Sequence, residues 1–547
     1  MDDGGKDMNR LKFKKFLYTG LLAVIVAAVS LAGCSSNNGN GGQISPSVSP
    51  SAPTESSSPE PEGAKEITLN WLTYQYGPVD DNSESKKLLE EKFNVKFNIW
   101  YMDATKREEL LGTKMASGQF PDFMTVYNGA DLAKFIDQEV AVTYTEEELN
   151  TYMPNYKALV DKYNPESWTY VKRNGEYMGI PSLNTDGVYG WAVAWRKDWL
   201  DKVGISKVPE TLDELIDAMT KFRNGDPDNN GKKDTYGMSK TGMQMVYGAF
   251  GIYPEFWTER DGEIVWSGIT PEAKKALEVL RQMKKDDLIS PEWVLPNGEN
   301  QGGYWAVSHD FVNGKIGLSS HGAYYHWAPA NPDKNFPGGD NPKLMAETNP
   351  NAVIAYGKPV KGPDGKAGVP APGMTGSTYM AFGKEAKDPE VKHRIMQIWD
   401  AIYGDYDLFM KVKFGTLGET YDMDGLMPRM KEQFSKTDEQ AKLGLHITFT
   451  PFANPEFLSK WQDPAEVEKT RSLFLYPDGS IANAVKSPLP SESKYYSNLV
   501  KFQQDTFTAI INGDKPLDEF DKFVEQWKNE GGDQLTKEAN EWKQSLK

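Results

Sequence analysis

Apolar and polar positions alternate in short runs along much of the chain. Ile67-Thr68-Leu69-Asn70-Trp71-Leu72 has the two-residue period of a half-buried strand and is followed by a Gly-Pro turn. Beyond it, 85–93 is spaced as a polar-capped helix, 95–101 as a second strand and 105–117 as another helix. Asp122-Phe123-Met124-Thr125-Val126 then reads as a third strand. Farther on, 272–285, 389–403 and 517–528 carry apolar residues at helical intervals. Strands alternating with helices predict an α/β architecture, and no internal repeat is evident.

The start of the chain has a different pattern. Lys6, Arg10, Lys12, Lys14 and Lys15 precede an uncharged stretch, 16–33, that ends at Cys34. A positive region, an apolar region and small residues at a cleavage point form a secretory signal. Leu31-Ala32-Gly33-Cys34 resembles the lipobox of bacterial lipoproteins, in which the peptide is cut before the cysteine and the thiol is acylated. A plain transmembrane anchor is the alternative, because about 18 apolar residues nearly span a bilayer. Cys34 is the only cysteine, so none is left for a disulfide, a zinc site or a thiol nucleophile. The stretch 34–65 is Ser, Asn, Gly and Pro with hardly an apolar residue, too little to offset its ordering entropy. It is expected to be a disordered tether spanning roughly 30 Å.

The remaining stretch suits two large lobes rather than one core. With 78 acidic against 61 basic residues the net charge is −17, which argues against nucleic acid as a partner.

Several segments are similar to one family. Ala116-Ser117-Gly118-Gln119-Phe120-Pro121-Asp122 resembles its A-S-G-x-x-P-D entry to a strand, and Gly175-Glu176-Tyr177-Met178-Gly179-Ile180-Pro181 its G-K-x-Y-G-I-P segment. The run Trp195-Arg196-Lys197-Asp198-Trp199-Leu200, continuing to Pro209-Glu210-Thr211-Leu212-Asp213-Glu214-Leu215, is similar to it as well. That run also has a physical reading: strand, short helix, Pro turn, then a helix capped by Thr211 with Glu214 at its third position. Phe311-Val312-Asn313-Gly314-Lys315-Ile316-Gly317 resembles the family's strand leading back to the other lobe. In order and spacing these segments resemble the family 1 extracellular solute-binding proteins of bacterial ABC importers, the class that includes maltose-binding protein, and especially its long Gram-positive lipoprotein branch.

The resemblance implies a two-lobed, periplasmic-binding-protein-like (type II) α/β fold with a hinge and an interlobe ligand cleft. By analogy one lobe is expected at 66–183 plus 314–383 and the other at 184–313 plus 384–547. It further implies a monomeric, lipid-anchored protein on the outer face of the membrane that captures a carbohydrate, an oligosaccharide by its length, and hands it to an ABC transporter permease. No enzymatic activity is implied.

Asp226, Asp228, Asn230 and Asp234 stand at positions one, three, five and nine of a stretch with Gly231 at six. This is most of an EF-hand-type loop, in which Lys232 would offer its backbone carbonyl at seven. Position twelve is Gly237 rather than Glu, so the usual bidentate ligand is missing. Calcium, if bound, would be structural; an Asx-rich turn that binds nothing is the other reading.

Sugars present flat apolar faces edged by hydroxyls, so their sites combine Trp and Tyr platforms with polar side chains. Candidates after the first strand are Tyr74 and Tyr76, and after the third Tyr127 and Asn128. Asp186, Tyr189 and Trp191 fall at the first crossing between lobes. Trp257, Tyr304, Trp305, His321, Tyr324, Tyr325 and Trp327 lie in aromatic-rich, turn-rich stretches. Each has core packing as its alternative. His321 and His326 are five apart, which does not suit a helical zinc pair. G-x-S-x-G, H-E-x-x-H and phosphate-loop motifs are absent. An anchored glycoside hydrolase with two carboxylates flanking a bond and a peptide-binding lipoprotein are the competing functions.

Overall fold

The two-residue alternation and the helical spacings appear as read in a computed structural model of the chain. Its described residues are 65–73, 77–102, 107–127, 129–183, 191–294, 308–322, 324–331, 338–371, 378–461 and 463–545. The signal segment, Cys34 and all of the tether but Lys65 lie outside them. In chain order the strands used below are β1 (Ile67–Leu72), β2 (Val95–Ile99), β3 (Phe123–Val126), β4 (Ala141–Val142), β5 (Lys172–Arg173), β6 (Glu176–Tyr177), β7 (Ile180–Pro181), β8 (Val193–Arg196) and β9 (Tyr236–Met238). They continue with β10 (Trp257–Arg260), β11 (Glu263–Trp266), β12 (Ile316–Ser320), β13 (Ile354–Tyr356), β14 (Val369–Pro370) and β15 (Tyr379–Gly383).

The first sheet runs β2-β1-β3-β15-β4, with β7 also paired to β15. β1 lies parallel to β2 and β3, and the helices Glu84–Phe93 and Arg107–Ala116 make the crossovers that parallel strands need. Trp71 is fully buried, with Phe123 at 4.6 Å and Phe97 edge-on at 5.4 Å. Asp122 fixes the start of β3 by accepting from the Asn70 backbone N–H at 2.6 Å and from its side-chain amide at 3.0 Å.

The second sheet runs β13-β8-β12-β9 and is covered on both faces. Val193, Trp195 and Leu318 enter one core, whereas Ala194 and Ile316 enter another with Phe311 and Trp327. On β8 the split follows from strand periodicity, because Ala194 points away from Val193 and Trp195. After β8, Asp198 accepts from Arg196 Nε at 3.0 Å and Nη2 at 2.6 Å, and the guanidinium lies 4.6 Å above the Trp199 ring. Thr211 and Glu214 form the expected reciprocal capping box of the helix Leu212–Asn224.

The lobe division differs from the expected one. β12 pairs antiparallel with β8, and so does β13, which puts 316–320 and 354–356 in the second sheet. Among the described residues of the expected 314–383 segment, β15 alone returns to the first sheet. The stretch 384–547 is shared as well. Trp399 of the helix Pro389–Gly404 packs edge-on to Phe123 of the first core at 5.4 Å, whereas Trp527 stacks on Trp266 of the second at 6.0 Å. Apolar pairing outweighs sequence proximity in both cases.

Candidate functional site

The chain passes between the sheets at one edge of each. β7 leaves the first sheet at Pro181, opposite Tyr379, and β8 begins the second at Val193, opposite Ser320. The return is built alike: β13 ends at Tyr356, beside Ala194, and β15 begins at Tyr379, beside Val126. These crossings join one edge of each sheet. The joined edges are also the carboxyl ends of β1, β2 and β3 on one side and of β9 and β12 on the other, where ligands of open α/β sheets bind.

The first edge carries Tyr101 after β2, 41% exposed, and Tyr127 after β3, 36% exposed. Arg107 lies 4.7 Å above the Tyr127 ring and donates through Nη2 to the Thr125 carbonyl at 2.5 Å. On the second edge Trp191 meets His321 edge-on at 4.4 Å and Tyr253 at 6.3 Å, and Tyr253 contacts Phe256 at 4.6 Å. These four rings are partly exposed and make an aromatic shelf. Burial, then the charges of His326 and Lys240, push the His321 imidazole down to about 3. At neutral pH it is uncharged, with one ring nitrogen a donor and the other an acceptor.

Of the expected ligand residues, Tyr127, Trp191 and His321 stand on these edges. Trp257 and Trp327 do not. Trp257 is 4% exposed and edge-on to Trp266 at 5.1 Å, while Trp327 is fully buried against Phe311 and donates from Nε1 to the His321 carbonyl at 2.6 Å. Both belong to cores. Tyr324 and Tyr325 open the short helix Tyr324–Trp327, of which only their backbone is described. Tyr74, Tyr76, Asn128, Asp186, Tyr189, Tyr304 and Trp305 lie outside the described residues. Tyr101, Arg107, Lys240, Tyr253 and Phe256 went unread. Tyr253 precedes Trp257 by four positions, and the two differ only in that Trp257 starts a hairpin strand, β10, whose pairing buries it.

A family model described as bacterial extracellular solute-binding protein matches residues 84–398, more than half of the chain. The chain belongs to that family. Its members are binding proteins of ABC transporters and not enzymes. Among curated relatives, this solute-binding protein is 25% identical to the polygalacturonan/rhamnogalacturonan-binding protein YtcQ of Bacillus subtilis, over 87% of this chain and 91% of that one. It is also 25% identical to lipoprotein LipO of the same organism, over 96% and 98%. Among solved structures, the alginate-binding protein AlgQ2 superposes with a TM-score of 0.66 at 18% identity, covering 87% of this chain and 98% of that one. The FusA substrate-binding protein of Streptococcus pneumoniae, solved with kestose, gives 0.60 at 18% identity, covering 88% and 100%. These likenesses bear out the two-lobed α/β fold.

The loop 226–234 joins the helix Leu212–Asn224 to β9, the strand that leads onto the second edge. Gly231 takes φ 74° at its turn, a conformation glycine adopts without strain. Asp226 accepts from the backbone N–H groups of Asn230 and Gly231 at 3.1 and 3.0 Å. The Asn230 amide nitrogen points inward, donating to Asp228 at 2.7 Å and to Asp234 at 3.0 Å, while its oxygen accepts from Lys232 N at 2.7 Å. Burial, then the contact with Asp226, raises the Asp228 carboxyl above its ordinary range. Among the described residues no three His, Cys, Asp or Glu side chains are grouped as metal ligands. Three carboxylates and an amide are ligand types that calcium takes, but here Asp228 and Asp234 close on the Asn230 amide nitrogen rather than around a common centre. Arg223 ties the loop to the lobe, donating to the Lys233 carbonyl at 2.6 Å and from Nε and Nη2 to Asp287 at 2.8 and 2.6 Å.

Proposed function

We propose that this solute-binding protein is anchored through an acylated Cys34 on the outer face of the membrane, captures an oligosaccharide between its lobes and delivers it to an ABC permease. The observation that carries the reading is the pair of strand edges joined by the crossings, one with Tyr101 and Tyr127 exposed, the other with the Trp191, His321, Tyr253 and Phe256 shelf. Rings of this kind stack on sugar faces, and the neutral imidazole of His321 suits hydroxyls. YtcQ and FusA, by their names, bind polygalacturonan/rhamnogalacturonan and fructooligosaccharides, which supports a saccharide here. A ligand touching both edges binds the closed arrangement better than the open one, so it shifts the population toward closure. Calcium held by Asp226, Asp228, Asn230, the Lys232 carbonyl and Asp234 would brace the loop behind β9.

A thermal-shift screen against plant and microbial oligosaccharides tests the reading. At 100-fold excess over Kd a true ligand stabilises the protein by about 2.7 kcal/mol. Shifts with peptides and none with glycans would overturn it.

A further inference from the structure

The stretch 486–493 reaches both lobes. It leads into the helix Glu492–Asn512, whose Leu499, Phe507 and Ile510 lie in the second core. Its side chains nevertheless grip two helices of the first lobe, Gly129–Asp137 and Ser167–Val171, which put Leu132 and Trp168 into the first core. Lys486 Nζ meets Glu166 at 2.7 Å, directly before the helix Ser167–Val171, and Ser493 Oγ donates to Asp137 at 3.0 Å. Pro488 and the Tyr379 hydroxyl both lie beside Gly129. A change in the angle between the lobes has to slide or part these contacts.

Two carboxyls stand where the stretch is seated. Glu492 accepts from the Leu489 N–H at 2.8 Å. Glu538, 6% exposed, accepts from the Ser491 N–H at 2.8 Å, the Ser491 hydroxyl at 2.6 Å and the Gln534 amide at 2.7 Å. The other titratable groups beside Glu492 are phenols, Tyr496 on its own helix and Tyr379 on β15; Glu255 acts in turn on Tyr496, and Tyr170 on Tyr379. The neighbouring cations are engaged elsewhere. Lys486 is held by Glu166, Arg173 by Asp137 at 2.7 Å and Lys537 by Glu541 at 3.6 Å, while Lys494 lies 4.6 Å above the Tyr495 ring. Burial, opposed by the Leu489 N–H and reinforced by the Glu538 charge, pushes the Glu492 carboxyl up to about 7. Its side chain is still partly exposed, so it exchanges its proton with solvent.

We propose that 486–493 is a proton-operated latch between the lobes: with Glu492 protonated the stretch stays seated on the first lobe, and ionisation beside Glu538 releases it. The proton passes to solvent, and only the carboxyl O–H bond breaks. Release returns the Glu492 carboxylate to water, where it is no longer penalised, so unseating and deprotonation favour one another. Seating is therefore independent of pH below the ordinary carboxylate range, weakens as pH rises from that range to about 7, and levels off above it. Movement of the lobes that parts these contacts is thereby coupled to loss of a proton. The inference stands on the contacts between lobes and not on the identity of the ligand.

Hydrogen–deuterium exchange of the detergent-purified full chain at pH 5, 6, 7 and 8, with rates scaled for the intrinsic effect of pH on exchange, tests this. Amides of 486–493 are expected to open about tenfold or more often at pH 7 than at pH 5, while those of the core strand β1 stay protected. Glu492→Gln is expected to make protection of the stretch independent of pH. Glu538→Gln, which removes the repelling charge, is expected to shrink the rise in opening. Protection of 486–493 that does not change with pH, or the same rise in Glu492→Gln as in the parent chain, would overturn the latch. So would loss of protection in β1 together with 486–493, since the whole fold and not the stretch would then be opening.

Discussion

At the scale of single residues, aromatic side chains in this protein divide into buried core rings and exposed ones. Trp327 is fully buried, its ring against Phe311 and its Nε1 bound to a carbonyl. Trp327→Ala is therefore expected to lower folding stability by about 3–5 kcal/mol, measured by denaturant unfolding, because it leaves a cavity and an unmet carbonyl. Little of this division was legible in the sequence. Trp257 and Tyr253 sit in the same turn-rich stretch, and composition treats them alike. Only the cross-strand pairing of Trp257 with Trp266, a long-range choice, turns one ring inward. Tyr127 was legible for a local reason: it follows a four-residue strand, Phe123–Val126, that is buried throughout, so the next side chain emerges at the sheet's edge.

At the scale of elements, the capping box read from the sequence is present because it depends on neighbours three residues apart. Thr211 and Glu214 cap the helix Leu212–Asn224 as their spacing requires. A second box, Thr145 with Glu148, caps Glu146–Tyr152 by the same rule and also reaches another helix. Glu148 meets Lys392 at 2.8 Å and His393 at 3.0 Å. Burial acts to raise its carboxyl, but Lys392, the Thr145 N–H and His393 outweigh it and hold the group at about 2. A depressed carboxylate stabilises the fold above its unfolded range and loses that contribution as pH falls through the folded value. Glu148→Gln is thus expected to cost about 2 kcal/mol at pH 7, the deficit shrinking between pH 4.5 and 2. A deficit independent of pH would contradict this. For the 226–234 loop, adding calcium to chelator-treated protein is expected to raise the melting temperature by about 2 °C or more, and Asp228→Asn to abolish the rise. A melting curve unmoved by calcium would assign the loop to its Asn230-centred hydrogen bonds alone.

At the scale of the whole molecule, the α/β class was evident from alternating strands and helices, but the division between lobes was not. β12, β13 and β15 are short, and each could join either sheet by composition; pairing with β8 or β3 settles it. In the reading proposed above, the ligand lies between the strand edges that these same crossings join. The central claim is that both edges hold the ligand together. Calorimetric titration of Tyr127→Ala and Trp191→Ala with a saccharide that binds the parent chain tests it most directly, because the two residues lie on different sheets and neither belongs to a core. The account predicts that each variant loses about tenfold or more in affinity at an unchanged melting temperature, consistent with a stacked ring on either side. Full affinity retained in either variant would contradict it.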